Sequence, residues 1–155
     1  MRPRRLIAIS GLLAALATGP VPAHEDLASL DLTAYRGKVI YLDFWASWCD
    51  PCRESFPFMD RIQREWGGRG LVVIAVNVDT ERRRAADFLA ATPVDFSIAY
   101  DPEGKLAEQW KLEGMPTTVL IGRDGTARSQ RVGFRHADET SVREAVARLL
   151  AEEAP

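Results

Sequence analysis

The chain is poor in the side chains that bind metals. Its 155 residues include only two cysteines, two histidines (His24 and His136) and three methionines. A structural zinc site needs four ligands, mostly Cys and His, and a metal or haem carrier needs further Cys, His or Met donors. This scarcity argues against a metal-binding or haem-chaperone function, and the chain is expected to use no cofactor beyond its own two cysteines.

Other common features are also absent. There is no internal repeat, no low-complexity tract and no composition shift that would mark a second domain. The formal charge of −2 at pH 7 provides no basic surface for nucleic acid. The sequence therefore indicates one globular domain that binds neither nucleic acid nor metal.

The amino-terminal segment has the pattern of an export signal. Residues 1–5 are basic, residues 6–17 are almost entirely apolar, and Val-Pro-Ala at 21–23 precedes His24. The apolar run is short for a bilayer span, so residues 1–23 are expected to be a signal peptide, with an uncleaved anchor as the alternative. Either form predicts a periplasmic protein whose single domain, residues 24–155, carries 17 basic and 22 acidic side chains.

The two cysteines stand two residues apart, at Cys49 and Cys52. A disulfide that closes so short a loop adds little stability, since stabilisation grows with loop length. The pair precedes an apolar-periodic segment, which indicates a helix N-terminus where backbone N–H groups favour a thiolate. Cys49 is therefore the expected attacking thiolate and Cys52 the thiol that resolves the mixed disulfide.

Apolar periodicity predicts an α/β order of elements. Residues 38–45 and 71–78 are short apolar runs typical of buried strands, and the spacing of Phe56, Met59, Ile62 and Trp66 predicts a helix between them that ends at Gly67-Gly68. Strand, helix and strand in that order form a right-handed parallel unit.

The second half of the chain continues this pattern. Helices are predicted at 82–91 and 105–110, with a short strand at 96–100 between them. Asp124-Gly125 predicts a hairpin that joins strands 117–121 and 126–132. A last helix contains an apolar stripe from Val142 to Leu150, and Ser141 with Glu144 fits a capping box.

The order of elements and four motifs together resemble the thioredoxin superfamily over about residues 30–152, most closely its exported TlpA/ResA branch. The motifs are residues 37–39 (Gly-Lys-Val), 43–53 (Asp-Phe-Trp-Ala-Ser-Trp-Cys-Asp-Pro-Cys-Arg), 56–57 (Phe-Pro) and 114–117 (Gly-Met-Pro-Thr). The resemblance implies a thioredoxin fold, a central mixed sheet with helices on both faces. A helix and strand near residues 80–100 resemble the insertion that separates this branch from plain thioredoxin.

The resemblance also implies an activity. Members of the branch reduce disulfides in protein substrates and receive electrons from a dithiol partner in the membrane. One use that the family makes of this chemistry is cytochrome c maturation, where haem-site cysteines are reduced before attachment. No residue of this chain selects that pathway.

Asp43 is the candidate proton acceptor for Cys52. A carboxylate in an apolar strand has its neutral form favoured, which raises its pKa toward the range useful in acid–base chemistry. The alternative is a solvated strand end where Asp43 merely caps the loop. The thioredoxin pattern has a buried acid at this place, whereas the TlpA/ResA branch commonly has Asn there and a Glu three residues after the second cysteine. This chain has Ser55 at that second position, and Glu54 is expected on the surface.

The resemblance implies a substrate groove beside the cysteines. Met115-Pro116 stands where the family has a cis-proline, and the Met115 backbone would bind an extended substrate segment by strand addition. Trp48 is expected at the edge of this groove. Both side chains have a plainer alternative, since Met115 fits a core position and Trp48 could pack against the loop. Asp50 and Pro51, between the cysteines, are expected to modulate the reduction potential.

Two other functions fit the same sequence. A thiol oxidant or isomerase would use the same residues and differ in reduction potential, whereas a non-catalytic thioredoxin-like adaptor would bind partners through the same groove. The intact cysteine pair and the Asp43 acid argue against the adaptor.

Replacing Asp50 by Gly tests the role of the residue after Cys49. The Asp50 carboxylate disfavours a neighbouring thiolate, so the variant is expected to have a lower Cys49 pKa and a less reducing couple. The scale is modest, since about 30 mV corresponds to roughly 1.4 kcal/mol for this couple. Alkylation rates against pH measure the pKa, and a rise in the variant would refute the prediction. No change would mean that Asp50 is simply solvated.

Overall fold

The computed structural model describes residues 30–154. The predicted signal peptide, residues 1–23, lies outside this range. Over the described range no helix has the length and apolar character needed to cross a membrane. The elements in chain order are a 3-10 turn Leu32–Tyr35, β1 Val39–Trp45, α1 Asp50–Trp66, a 3-10 turn Gly67–Arg69, β2 Leu71–Asn77, α2 Arg82–Ala91, β3 Ser97–Tyr100, α3 Lys105–Gln109, β4 Thr117–Ile121, β5 Ala127–Val132, a 3-10 turn His136–Asp138 and α4 Glu139–Ala151.

The five strands form one mixed sheet in the order β3-β2-β1-β4-β5. β1 runs parallel to β2 with Leu42 opposite Ile74, and β2 runs parallel to β3. β4 is antiparallel to both β1 and β5. The predicted α/β class, parallel unit and hairpin are thus confirmed.

The sheet is covered on both faces. Alternate residues of a strand point to opposite faces, and in β1 the odd-numbered side chains Val39, Tyr41 and Trp45 pack with α1 and α4. The even-numbered side chains of β1 pack on the other face, against Leu106 of α3 and the turn that begins at Leu32. The prediction of helices on both faces of a mixed sheet is confirmed.

The helix and strand predicted near residues 80–100 are α2 and β3. β3 extends the sheet beyond β2, with Ala75 opposite Ile98. α2 places Phe88 in the same aromatic cluster as Phe56 of α1, with ring centroids 4.9 Å apart. The segment therefore adds an edge strand and also packs against the helix that carries the cysteines.

One predicted helix end is confirmed and the other is wrong. α1 ends at Trp66 with Gly67 as its C-cap, as predicted, although Gly67 keeps a right-handed helical backbone and the chain continues as a 3-10 turn to Gly70, whose φ of 101° ends that turn. The Ser141–Glu144 capping box is absent. The preceding 3-10 turn runs directly into α4, so Ser141 lies inside the helix and its hydroxyl donates to the Asp138 carbonyl at 2.8 Å.

Phe56→Ala is expected to destabilise the domain. The Phe56 side chain is fully buried, and its ring contacts Trp45 at 4.8 Å and Phe96 at 5.4 Å between centroids. Truncating a buried Phe costs about 3–5 kcal/mol. Urea unfolding measures this loss, and Val132→Ala, at a side chain 49% exposed, serves as the control with an expected change of about 0.5 kcal/mol or less. Equal losses in both variants would contradict the packing role of Phe56.

Candidate active site

The two cysteines lie at the N-terminus of α1. β1 ends at Trp45, and a short loop carries the chain to Cys49, which is the N-cap residue with an extended backbone. The Cys49 Sγ accepts a hydrogen bond from the Cys52 backbone N–H at 3.3 Å. The free N–H groups and the dipole of a 17-residue helix therefore act on this sulfur, which favours its ionised form in the reduced protein.

Cys49 and Cys52 are joined by a disulfide and differ in exposure. Cys49 is 5% exposed and Cys52 is fully buried, whereas the neighbouring Trp48 is 62% exposed. Of the two residues, only Cys49 keeps some surface at which an incoming thiol or disulfide could meet it. This asymmetry fits the predicted division into attacking and resolving sulfurs.

The loop before Cys49 is held by a buried carboxylate that sequence reasoning missed. Asp79 follows β2, and its two oxygens accept hydrogen bonds from the backbone N–H and the hydroxyl of Ser47 at 3.0 and 3.1 Å. The Asn77 side chain donates to Asp79 Oδ2 at 2.8 Å. The sequence offered one signal for Asp79, which is its position directly after the predicted strand 71–78. The carboxyl ends of the parallel strands β1 and β2 meet at one edge of the sheet, so a residue there lies near the loop that follows β1.

Arg53 connects the same loop to α2. Its guanidinium donates to the Ser47 carbonyl at 3.0 Å and lies over the Phe88 ring, 5.3 Å from the centroid. Both contacts lie beside the first turn of α1. Arg53 therefore links the loop before Cys49 to both α1 and α2.

Asp43 is fully buried in the middle of the sheet. Its Oδ1 accepts a hydrogen bond from the Thr118 hydroxyl at 2.6 Å, and its Oδ2 has no hydrogen-bond partner among residues 30–154. Burial raises the pKa of Asp43 to about 7, and the Thr118 hydrogen bond partly opposes this rise. The alternative of a solvated, loop-capping carboxylate is excluded, whereas the part that Asp43 plays in catalysis stays a prediction.

Asp43 lies on the same side of the sheet as the cysteines. It is an odd-numbered residue of β1, so its side chain leaves the sheet on the face that also carries Tyr41 and Trp45. That face is covered by α1, and the core cluster there contains both Cys49 and Cys52. The fold therefore places an acid with a neutral-range pKa beneath the helix that carries the resolving sulfur.

The Met115–Pro116 peptide bond is cis, as the resemblance implies. β4 begins at Thr117, which is opposite Phe44, so the two residues before it lie at the end of β1 that leads to the cysteines. Met115 is partly buried and packs against the core cluster that contains both cysteines. The Pro116 carbonyl accepts a hydrogen bond from the Gly133 N–H at 2.7 Å. Substrate binding by Met115, Pro116 and Trp48 stays a prediction.

The other predicted residues near the cysteines are solvent-facing. Asp50 and Pro51, the first two residues of α1, are exposed, and Glu54 is exposed as expected. Ser55 is buried instead, and its hydroxyl donates to the Cys52 carbonyl at 2.9 Å. Ser55 therefore supports the first turn of α1 and brings no acid to the site.

The described residues contain no candidate metal site. Within residues 30–154, no group of three or more His, Cys, Asp or Glu side chains is arranged to hold a metal ion.

The fold and the cysteine pair at a helix N-terminus define a thioredoxin-like protein. The sequence model of the Redoxin family matches residues 17–148, so the chain belongs to the Redoxin family. Within the thioredoxin superfamily it is TlpA/ResA-like.

Two curated relatives are named thiol-disulfide oxidoreductase ResA. The one from Oceanobacillus iheyensis is 31% identical over 105 residues, covering 68% of this chain and 55% of the relative. The one from Bacillus subtilis is 29% identical over 96 residues, covering 62% and 54%. The chain thus spans about half the length of the curated relatives it matches.

A solved structure matches more of the chain. A candidate thiol:disulfide interchange protein DsbE from Chlorobium tepidum is 43% identical, with a TM-score of 0.76 over 77% of this chain and 85% of that one.

Asp43→Asn is expected to flatten the pH dependence of stability. The pKa of Asp43 is raised from 3.8 to about 7 on folding, so the folded state keeps a proton that the unfolded chain releases. The free energy of unfolding therefore falls as pH rises from about 4 to about 7. Asn carries no charge, and the variant should be more stable at pH 8 by up to about 4 kcal/mol.

Urea unfolding of the oxidised protein between pH 4 and 8 measures this difference. Glu54→Gln removes a carboxylate from the exposed side of α1 and should keep the slope of the parent protein. A D43N variant with that same slope would show that Asp43 does not hold its proton in the folded state.

Proposed function

We propose that this chain is an exported thiol–disulfide oxidoreductase that reduces disulfides in protein substrates. The observation that carries the proposal is the asymmetry of the pair, with Cys49, 5% exposed, at the N-cap of α1 and Cys52, fully buried, one turn into the helix. The names of the ResA relatives and of the C. tepidum protein describe thiol–disulfide oxidoreduction or interchange in those proteins.

The reaction starts from the dithiol. The Cys49 thiolate attacks one sulfur of a substrate disulfide, forming a mixed disulfide and releasing the other substrate sulfur as a thiolate that takes up a proton. Cys52 then attacks Cys49 Sγ, which releases the second substrate sulfur and forms the Cys49–Cys52 disulfide. Two electrons pass to the substrate, and the oxidised pair must be reduced again before the next cycle.

Asp43 supplies the base for the second step. Cys52 is a buried thiol at rest, and it must lose its proton to attack Cys49. The Asp43 carboxyl lies on the sheet face that α1 covers and has a pKa of about 7. A group with that pKa accepts a proton and returns it near neutral pH, which is the condition for an efficient general base.

The substrate docks against Trp48 and the Met115–Pro116 segment. Trp48 offers a large exposed apolar surface beside Cys49, and Met115-Pro116 lies at the same end of the sheet. An extended substrate segment would bind the Met115 backbone by strand addition. Hydrogen bonds to the main chain accept many sequences, which suits a reductase with several protein substrates.

The electron source and location follow from the amino-terminal pattern. The basic residues 1–5 and the apolar run 6–17 support export to the periplasm. A reductase in an oxidising compartment needs electrons from the cytoplasm, and a membrane dithiol protein is the proposed donor. A thiol oxidant or isomerase is the second candidate, because the same pair performs either reaction according to its reduction potential.

Replacing each cysteine by Ser tests the assigned roles. Cys52→Ser should accumulate a mixed disulfide with insulin, because Cys49 still attacks and nothing resolves the product. Cys49→Ser should trap nothing, because Cys52 is buried. Non-reducing electrophoresis after incubation with insulin measures both, and turnover with dithiothreitol should be lost in both variants. Equal trapping through either cysteine would contradict the assignment.

The equilibrium reduction potential of the Cys49–Cys52 pair decides the direction of electron flow. Titration against a glutathione buffer measures it. A reductase should equilibrate near the value of thioredoxin, about −270 mV, whereas a value near −120 mV would match a strong oxidant and overturn the reducing direction. Full insulin binding without any thiol exchange would instead identify an adaptor.

A further inference from the structure

The buried acid requires a path for its proton. If Asp43 accepts a proton from Cys52 in each cycle, it must return that proton to water before the next. The Asp43 side chain has no exposed surface, so the exchange has to pass through a neighbouring polar group. The need for a path rests on the proposed function, whereas the path itself rests on the geometry of the sheet.

The neighbouring polar group is the Thr118 hydroxyl. It lies 2.6 Å from Asp43 Oδ1 and 3.3 Å from the Tyr41 hydroxyl. Asp43 is opposite Thr118 in the β1–β4 register, which fixes the contact through the backbone of the sheet. Thr118 is half-buried, in contrast to the fully buried acid.

Thr118 also lines a cavity whose wall is partly polar and partly apolar. The cavity has a volume of about 50 Å³ and lies between the sheet and α4. About 10–15 Å³ suffices for one water molecule. Its lining includes the polar side chains of Tyr41, Thr118, Ser129, Arg131, Asp138 and Ser141. A space of this size with several polar partners is suited to ordered water.

We propose that Asp43 exchanges its proton with solvent through the Thr118 hydroxyl and the water of this cavity. Thr118 is thus a positioning residue for the acid and the first link of its proton path. Nothing in the cysteine motif points to this residue, which enters the site through strand pairing alone.

The transfer is balanced at each atom. On release, the proton on Asp43 Oδ1 passes to Thr118 Oγ1 while the hydroxyl proton of Thr118 passes to a water in the cavity. One O–H bond forms and one breaks at Oγ1, so Thr118 is unchanged. Uptake is the reverse, and it begins from the observed arrangement in which Thr118 donates to Asp43.

The charged and titratable groups around the path come from each packed element. Tyr41 on β1, Arg131 on β5 and Asp138 beside α4 line the cavity, and Arg131 and Asp138 lie 3.5 Å apart as an ion pair. The cysteines of α1 lie in the core cluster of the same sheet face. The Tyr41 hydroxyl stays protonated, because burial and the Asp43 charge raise its pKa. The titration in this region is therefore that of Asp43.

Thr118→Val tests the proposal, because Val keeps the branched shape and removes the hydroxyl. The readout is the carbon-13 resonance of the Asp43 carboxyl against pH in the oxidised protein, which needs neither substrate nor turnover. The parent should titrate as one averaged resonance. T118V should titrate about one pH unit higher, since the carboxylate loses a hydrogen bond, and should exchange slowly enough to show two resonances.

Thr118→Ser should restore the averaged resonance and the parent midpoint. Ser129→Ala lies on the cavity lining without contacting Asp43 and serves as the matched control. Thr118→Ala provides the same test if T118V does not fold. An averaged resonance in the hydroxyl-free variants overturns the proposal, even if the midpoint moves, because Thr118 would then be a hydrogen-bond donor and not a path.

This test is separate from that of the proposed function. Failure to reduce insulin with the predicted carboxyl titration would remove the enzymatic role and leave the path. Normal insulin reduction with unaltered titration in T118V would remove the proton path and leave the enzymatic role.

Discussion

The burial of β1 between β2 and β4 is the constraint on which the site depends. All seven residues of this strand are buried, and both neighbours pair with it along almost its whole length. A shift of the strand register by one residue would turn Asp43 to the opposite face of the sheet. The odd-numbered apolar side chains of β1 would then no longer pack against α1 and α4. The strand therefore fixes at once the end of the sheet where Cys49 emerges, the face that carries Asp43, and the threonine opposite it.

Asp43 is the one charged residue of β1, whose other six side chains are apolar or aromatic. A carboxyl with one unpartnered oxygen in a fully buried position is costly, and the cost is lowest when the group is neutral. Local violations of this kind are expected at functional positions. The aromatic cluster of Trp45, Phe56, Phe88 and Phe96 belongs to the core of the same sheet face, and its apolar packing offsets such a cost.

Much of the molecule could be predicted from the residues because the signals were local. The apolar runs of β1 and β2, the spacing from Phe56 to Trp66 and the Asp124-Gly125 turn each reflect a short-range preference, and the motif around Cys49 adds the family resemblance. The start of α4 was less predictable. The 3-10 turn that runs into this helix depends on how the adjacent chain packs, and Ser141 carries no information about it.

The supporting contacts of the site could not be predicted, because they join residues distant in the chain. Asp79 reaches Ser47 across 32 positions and Thr118 reaches Asp43 across 75. Strand register decides both, and a sequence pattern gives register only where a hairpin sets it. A buried acid in a strand could be found by inspection, but its partner could not.

The hydrogen bonds between Asp79 and Ser47 have a consequence for recognition. Ser47 donates two hydrogen bonds to Asp79, and its carbonyl accepts a third from the Arg53 guanidinium. A surface fixed in advance loses little freedom when it is covered, so the entropic cost of association falls on the opposing chain. In the proposed reductase, such a surface favours a cystine in a flexible or partly unfolded region, which can adopt the required shape, over a cystine held in a folded core.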